Sequence, residues 1–302
     1  MSHGADSTKS IIFALCANAA IALSKFVAAA MTGSGAMLAE AIHSLADTGN
    51  QGLLLIGLRH ARRPPSADFP LGYGKAIYVW SFLVALILFS VGGLFSLYEG
   101  IHKLSHPQPL TAPWWAIGVL VFAIAAESVS MWGCLREVAK ARHGRSLWRW
   151  FRESRQSELL VVFGEDLAAL IGLVLALVAV VATMLTGNPV YDSLGTVAIG
   201  ILLIVIAMFV AIEVKALLIG QGVEPMVDAE MREWLNTQPE VAVLLNLLTM
   251  QMGDRVMVAI KAKMAPMPSA DALIDGINAV EARFRQQFPE VMWLFFEPDH
   301  EV

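Results

Sequence analysis

A chain of 302 residues that is 57% hydrophobic and 16% charged, with a mean hydropathy of +0.62, lies far from the composition of an ordinary soluble domain. Its formal charge of -5 provides no uniformly basic surface, and no helix-turn-helix or zinc-finger spacing occurs, so nucleic acid is not an expected partner. The two cysteines, Cys16 and Cys134, sit in apolar runs outside any C-x-x-C or disulfide framework and read as small buried thiols.

The N-terminus "MSHGADSTKS" is polar and carries neither a short apolar segment with a cleavage site nor an Arg-rich presequence, so no cleavage is expected. A bilayer core about 30 Å thick needs about 20 apolar residues at 1.5 Å each. Six stretches meet that length, at 11–31, 36–58, 76–101, 114–135, 158–185 and 191–214. Arg59, Arg62, Arg63 and Lys75 lie between the second and third. Seven basic residues from Arg136 to Arg155 lie between the fourth and fifth. The opposite connections "TGSGA" and "TGNPVYD" have no Lys or Arg, and the remaining one has only Lys103. The positive-inside rule therefore predicts a multi-pass integral membrane protein with both termini cytoplasmic, and the cell (inner) membrane is its expected location. Trp148 and Trp150 are interleaved with arginines in the basic loop 136–155. That loop reads either as an interfacial segment on anionic headgroups or as plain positive-inside bias.

From Gln221 onward hydropathy drops. The pattern predicts a helix (228–237), strands at 241–252 and 255–264 around the turn "GDR", a helix begun by Ser269, and a last strand at 291–296. The expected organisation is thus an α-helical membrane domain of six transmembrane helices at 1–220, followed at 221–302 by a small α+β cytoplasmic domain of αββαβ, ferredoxin-like order.

Ionisable residues in lipid are costly and mark sites facing a bundle interior or a water-filled cavity. Glu40, His43 and Asp47 interrupt the second span in "AEAIHSLADTGNQ". His43 and Asp47 are four residues apart and share one helix face, where an imidazole and a carboxylate can grip one cation. Asp47 is 12 residues from the cytoplasmic Arg59, roughly 18 Å. Asp166 is 11 residues from Arg155, roughly 16 Å, so the two meet at one depth. Glu165 points about 100° away from Asp166. Glu127, nine residues from Arg136, is roughly 14 Å in and within reach of the same level. A lone membrane histidine often only hydrogen-bonds a neighbouring helix. Several metal-ligating groups at one depth, with no Lys or Arg there, instead demand a divalent cation. Glu127 has two further readings, a proton carrier or an interhelical hydrogen-bond knot. Lys25 and Asn18 in the first span read as packing or snorkelling residues, Asn18 being the nearer to the site.

Six spans, "HSLAD" in the second, "RRPPSADFPLGYGK" leading into the third, "LFSVGGLFSLYEGIHKL" closing it, and a tail ending "FFEPDHE" together resemble the cation diffusion facilitator family, nearly end to end. The resemblance implies a transport site made by two residues four apart in the second helix and two four apart in the fifth, usually for zinc. His43 and Asp47 match the first pair. Asp166 matches one position of the second, which leaves Val162 where the family commonly has His or Asp. Glu165 or Glu127 is expected to supply the missing ligand, and the adjacent Glu-Asp pair is similar to that of a divergent branch. Phe69 stands where the family often carries a loop histidine, so no metal site is expected there beside Asp68. The family tail can bind zinc at a dimer interface, but here it offers only His300. Met250, Met252, Met257 and Met264 read as core or interface packing of a homodimer.

The reading that follows is a proton-coupled secondary transporter exporting a divalent cation, zinc foremost by resemblance. Its partners are the metal ion, protons, the bilayer and a second copy of the chain. No cofactor is expected beyond the transported cation. The oxygen-rich ligand set leaves manganese, iron(II) or cobalt open. A membrane metal sensor that does not transport is the other alternative. An enzyme is not expected, because no H-E-x-x-H or comparable nucleophile-base motif lies in the spans.

Overall fold

A computed structural model describes the backbone from residue 3 to residue 300 and the side chains from Asn18 onward. The N-terminal residues read as an uncleaved polar end and the Cys16 thiol thus lie outside the described side chains. Cys134 is a buried free thiol.

The helices are α1 (His3–Thr32), α2 (Gly35–Ala61), α3 (Ala76–Ile87), α4 (Phe95–Ser105), α5 (Pro113–Ala141), the short α6 (Leu147–Glu153), α7 (Ser157–Thr186), α8 (Val190–Ile219), α9 (Pro225–Asn236) and α10 (Ala270–Gln287). A π-helical segment, Leu88–Leu94, joins α3 to α4 as one rod, closed by a bond from the Phe95 amide to the Ser90 carbonyl five residues back. The rod can lie close to α8 because glycines meet there: a Cβ on Gly93 would sit 2.6 Å from Ile204 Cγ1, and one on Gly200 would sit 2.6 Å from the Leu97 nitrogen.

Helix ends follow local chemistry. Ser34 begins α2 as an N-cap, its hydroxyl accepting from the Met37 amide at 3.1 Å. Asp192 at the start of α8 accepts from Gly35 N at 2.7 Å and from the Ser34 hydroxyl. Gly33 (φ +68°) and Gly187 (φ +70°) end α1 and α7 in the left-handed conformation that glycine adopts without a Cβ penalty. Pro113 opens α5, where its missing N–H removes no helical bond.

Among the described residues, four helical stretches are long and apolar enough to cross a membrane: Ala76–Ser105, Pro113–Ala141, Ser157–Thr186 and Val190–Ile219. Asn18–Thr32 is a shorter apolar helix. The 27-residue α2 falls outside that group. Glu40, His43, Asp47, Asn50 and Gln51 all lower its hydropathy.

The chain forms two compact units. One comprises residues 1–56, 80–145 and 158–213. Its core is built from interlocking small and branched side chains, among them Ala28, Leu88, Leu120, Ala123, Leu173 and Leu203. The other comprises residues 57–79, 146–157 and 214–302. It contains a three-stranded sheet of β1 (Val241–Met252), β2 (Arg255–Met264) and β3 (Val291–Pro298) in the order β1-β2-β3. β1 and β2 form an antiparallel hairpin, whereas β3 returns through α10 to lie parallel to β2. Met231, Leu235, Val258, Ile260, Phe284 and Phe288 form its dry core. Ser269 caps α10 by accepting from Ala272 N at 3.1 Å. The αββαβ order read from the sequence is therefore present.

Within this second unit the Tyr78 hydroxyl accepts from Gly253 N at 2.9 Å, and Arg155 donates to the Gly222 carbonyl at 2.6 Å. Helix α6 divides the tryptophans of the basic loop: Trp150 is buried and Trp148 is 61% exposed.

Candidate metal site

The 3.6-residue period of α2 stacks Glu40, His43 or Ser44, Asp47 and then Asn50 or Gln51 along one side of the helix. His43 is fully buried, and its Nε2 lies 3.4 Å from Asp47 Oδ2. Among the described residues, neither ring nitrogen of His43 has a hydrogen-bond partner, nor does Asp47 Oδ1. Leaving such a buried group without a partner costs about 1–3 kcal/mol, so a polar ligand at these atoms would be stabilised.

Helices α5 and α7 bring the other acids. Asp47, Glu127, Glu165 and Asp166 line one cavity of about 40 Å³, with Asn18 and Ser44 also on its wall. At roughly 10–15 Å³ per water, that volume holds an ion or a few waters. Asn50 Nδ2 donates to Glu165 Oε1 at 2.6 Å, and the Ser130 hydroxyl donates to Asp166 Oδ2 at 3.2 Å. Asn18 of α1 donates to Gln51 at 3.1 Å. Amide and hydroxyl donors thus fix the orientation of the acids from neighbouring helices while other carboxylate oxygens stay available.

Lys25 corrects the expectation of a snorkelling residue and of a level without basic groups. It is fully buried, with Nζ 3.3 Å from Glu40 Oε2 and 2.6 Å from the Ser44 hydroxyl. An ammonium with such partners has no need to reach an interface. Lys25 and Glu40 offset one another formally, which leaves, among the described residues, four carboxylates and no lysine or arginine on the cavity wall.

The residues singled out in the sequence are therefore unequally placed. Asp47, Asp166, Glu165 and Glu127 face one space, whereas His43 stands against Asp47 and off the cavity wall. Val162, where the family commonly has a ligand, also lines the cavity. Among the described residues, no three His, Cys, Asp or Glu side chains converge closely enough to complete a metal shell. The carboxylates thus border an acidic chamber rather than a closed metal shell. Sequence reasoning missed Asn50, Gln51 and Ser130. Asn50 was visible in principle, since positions 43, 47 and 50 continue one helical stripe.

The cation efflux transmembrane domain matches residues 11–219. The mitochondrial proton-coupled zinc antiporter SLC30A9 of Xenopus laevis is 35% identical over 247 residues, which are 81% of this chain and 44% of that protein. Metal tolerance protein C4 of Arabidopsis thaliana is 30% identical over 237 residues, 78% of this chain and 52% of that protein. Zinc transporter ZitB of Escherichia coli (strain K12) is 24% identical over 276 residues, 90% of this chain and 82% of that protein. The chain spans about half the length of the first two relatives.

Proposed function

This chain belongs to the cation efflux, or cation diffusion facilitator, family of membrane transporters, and on that premise we propose that it is a proton-coupled exporter of a divalent metal cation, zinc foremost. The observation that carries the reading is the small cavity at which Asp47, Glu127, Glu165 and Asp166 meet among apolar helices. Four carboxylates in such surroundings require positive charge, and a divalent cation or protons can each supply it.

In this reading His43, Asp47 and Asp166 are ligands of the transported ion. Glu165 completes the set where Val162 cannot, and Glu127 is the next donor. Ligation needs neutral imidazole and ionised carboxylates, so a metal entering releases protons and protons entering release the metal. Alternating access follows from rocking of six spanning helices around a site near mid-membrane, with both termini on the cytoplasmic side. The relatives named as a zinc antiporter and a zinc transporter support zinc as cargo. A second cargo reading is favoured by one observation: among the described residues the cavity wall carries four carboxylates and no imidazole, and oxygen-rich sites suit manganese, iron(II) or cobalt.

The test is flux through reconstituted vesicles, run over zinc, manganese, iron(II) and cobalt with an imposed pH difference. The expected result is uphill metal movement driven by the proton gradient, with opposite proton movement seen by a pH-sensitive dye. Flux indifferent to a gradient of either sign, without proton movement, would replace antiport by passive passage. Binding without flux would leave a metal sensor.

A further inference from the structure

The Lys25–Glu40 pair has features that a plain interhelical staple does not need. Both side chains are fully buried. Of the two contacts made by the ammonium, the shorter, at 2.6 Å, is to the Ser44 hydroxyl and the longer, at 3.3 Å, is to its formal counter-ion. Ser44 is itself on the wall of the acidic cavity, and Asp47 follows it by three residues on the same side of α2. Glu40 Oε1 has no hydrogen-bond partner among the described residues and occupies the space that a Cβ on Gly172 of α7 would fill. The fixed charge of Lys25 is thus seated among α1, α2 and α7, one hydroxyl away from the space shared by four carboxylates.

From this we infer that Lys25 is a positioning residue that acts as a tethered counter-cation, competing with the divalent ion for the charge of the cavity. The inference rests on the transporter reading above. A lysine side chain is a point charge on a flexible four-carbon stem. From its contact with Ser44, small changes of that stem carry the ammonium towards the carboxylates when the metal leaves. Glu40 receives it when a metal occupies the cavity. Lys25 therefore limits how tightly the metal is held and speeds its release, and Glu40 sets how strongly Lys25 competes. At an effective dielectric of about 20, the single charge of Lys25 and the double charge of the metal, taken as about 10 Å apart, repel enough to change affinity by well over tenfold.

The experiment compares zinc Kd by equilibrium dialysis, and zinc KM and kcat in vesicles, for the full chain and its variants. Lys25→Met is expected to lower Kd and KM by roughly tenfold or more and to lower kcat, because the competitor is gone and release slows. Glu40→Gln is expected to raise KM, because the ammonium loses its resting partner. Lys25→Arg, which keeps the charge, should stay nearer the parent than Lys25→Met. Folded Lys25→Met and Glu40→Gln proteins with the parent's Kd, KM and kcat would overturn the inference and leave the pair a staple. Movement of KM in the same direction in both would also overturn it. Should Lys25→Met fail to fold, Ser44→Ala decides. It removes only the hydroxyl between ammonium and cavity, and it should lower KM to a smaller extent; an unchanged KM counts against competition. Zinc flux by the parent with unresponsive variants sinks this inference alone, whereas no flux of any metal by the parent sinks the transporter reading with it.

Discussion

Asn50 of α2 donates a 2.6 Å hydrogen bond to Glu165 of α7, tying two helices that the proposed transport cycle must move. The bond holds Glu165 Oε1 and ties the carboxylate's position to the face of α2 that also carries His43 and Asp47. Asn50→Ala removes a hydrogen bond to a buried acid, a loss of about 1–3 kcal/mol. The expected outcome is a lower thermal midpoint of the detergent-solubilised protein together with slower metal flux. An unchanged midpoint and flux would show that Glu165 is held by other means.

His43→Ala, Asp47→Ala and Asp166→Ala are each expected to abolish metal flux in vesicles while leaving a monodisperse, folded protein, since each removes a proposed ligand. Glu165→Ala should reduce flux without abolishing it. Metal uptake by Asp47→Ala at the parent rate would remove the site assignment.

In the tail, partial burial pushes the Glu240 carboxyl up, but the 2.6 Å hydrogen bond from Arg283, a bond to its own backbone and the guanidinium charge together hold it below its usual value. A depressed folded value means that stability is gained above the ordinary carboxylate range, near pH 4.5, and is lost as pH falls through the folded value. Glu240→Gln should therefore cost stability near neutral pH, and its deficit relative to the parent should shrink as pH is lowered from about 6 to about 3. Limited proteolysis of residues 221–302 in the full chain across that range measures it. A deficit that stays constant with pH would mean the pair contributes nothing by ionisation.

The tail is expected to dimerise without metal. Leu248 of β1 and Phe295 of β3 both pair with Ala259 of β2, and they are 61% and 56% exposed, forming an apolar row across the sheet. Met250, Met257 and Trp293 form the adjoining row of the ladder. Such a surface gains by being covered, at roughly 25 cal/mol per Å². Sedimentation of the full chain should show a dimer that chelator leaves intact and that Leu248→Lys with Phe295→Lys weakens. A monomer that pairs only on adding zinc would contradict this.

By itself the sequence determined the features that depend on local pattern. Hydropathy marked the long helices, because burying some twenty consecutive apolar residues leaves few alternatives to a membrane or a large core. Alternation and capping marked the tail, including Ser269 at the start of α10. The i,i+4 spacing put His43 and Asp47 on one face, since that relation lies within a single helix. Depth counting then brought Asp47 and Asp166 to one level, and both line the same cavity. Tertiary structure alone decided which polar residues meet across helices. Nothing local separates a lysine that snorkels from one that pairs inside, so the contacts of Lys25 with Glu40 and Ser44 emerged only once α1 and α2 were side by side. The same holds for the donors Asn50 and Ser130, whose acceptors lie 115 and 36 residues away in the chain. The π segment at Leu88–Leu94 likewise answers to packing, because the approach of Gly93 and Gly200 belongs to two helices and to neither sequence alone. Rotation of each helix about its axis is set by its neighbours, and that rotation determines which of the buried acids face a common ion.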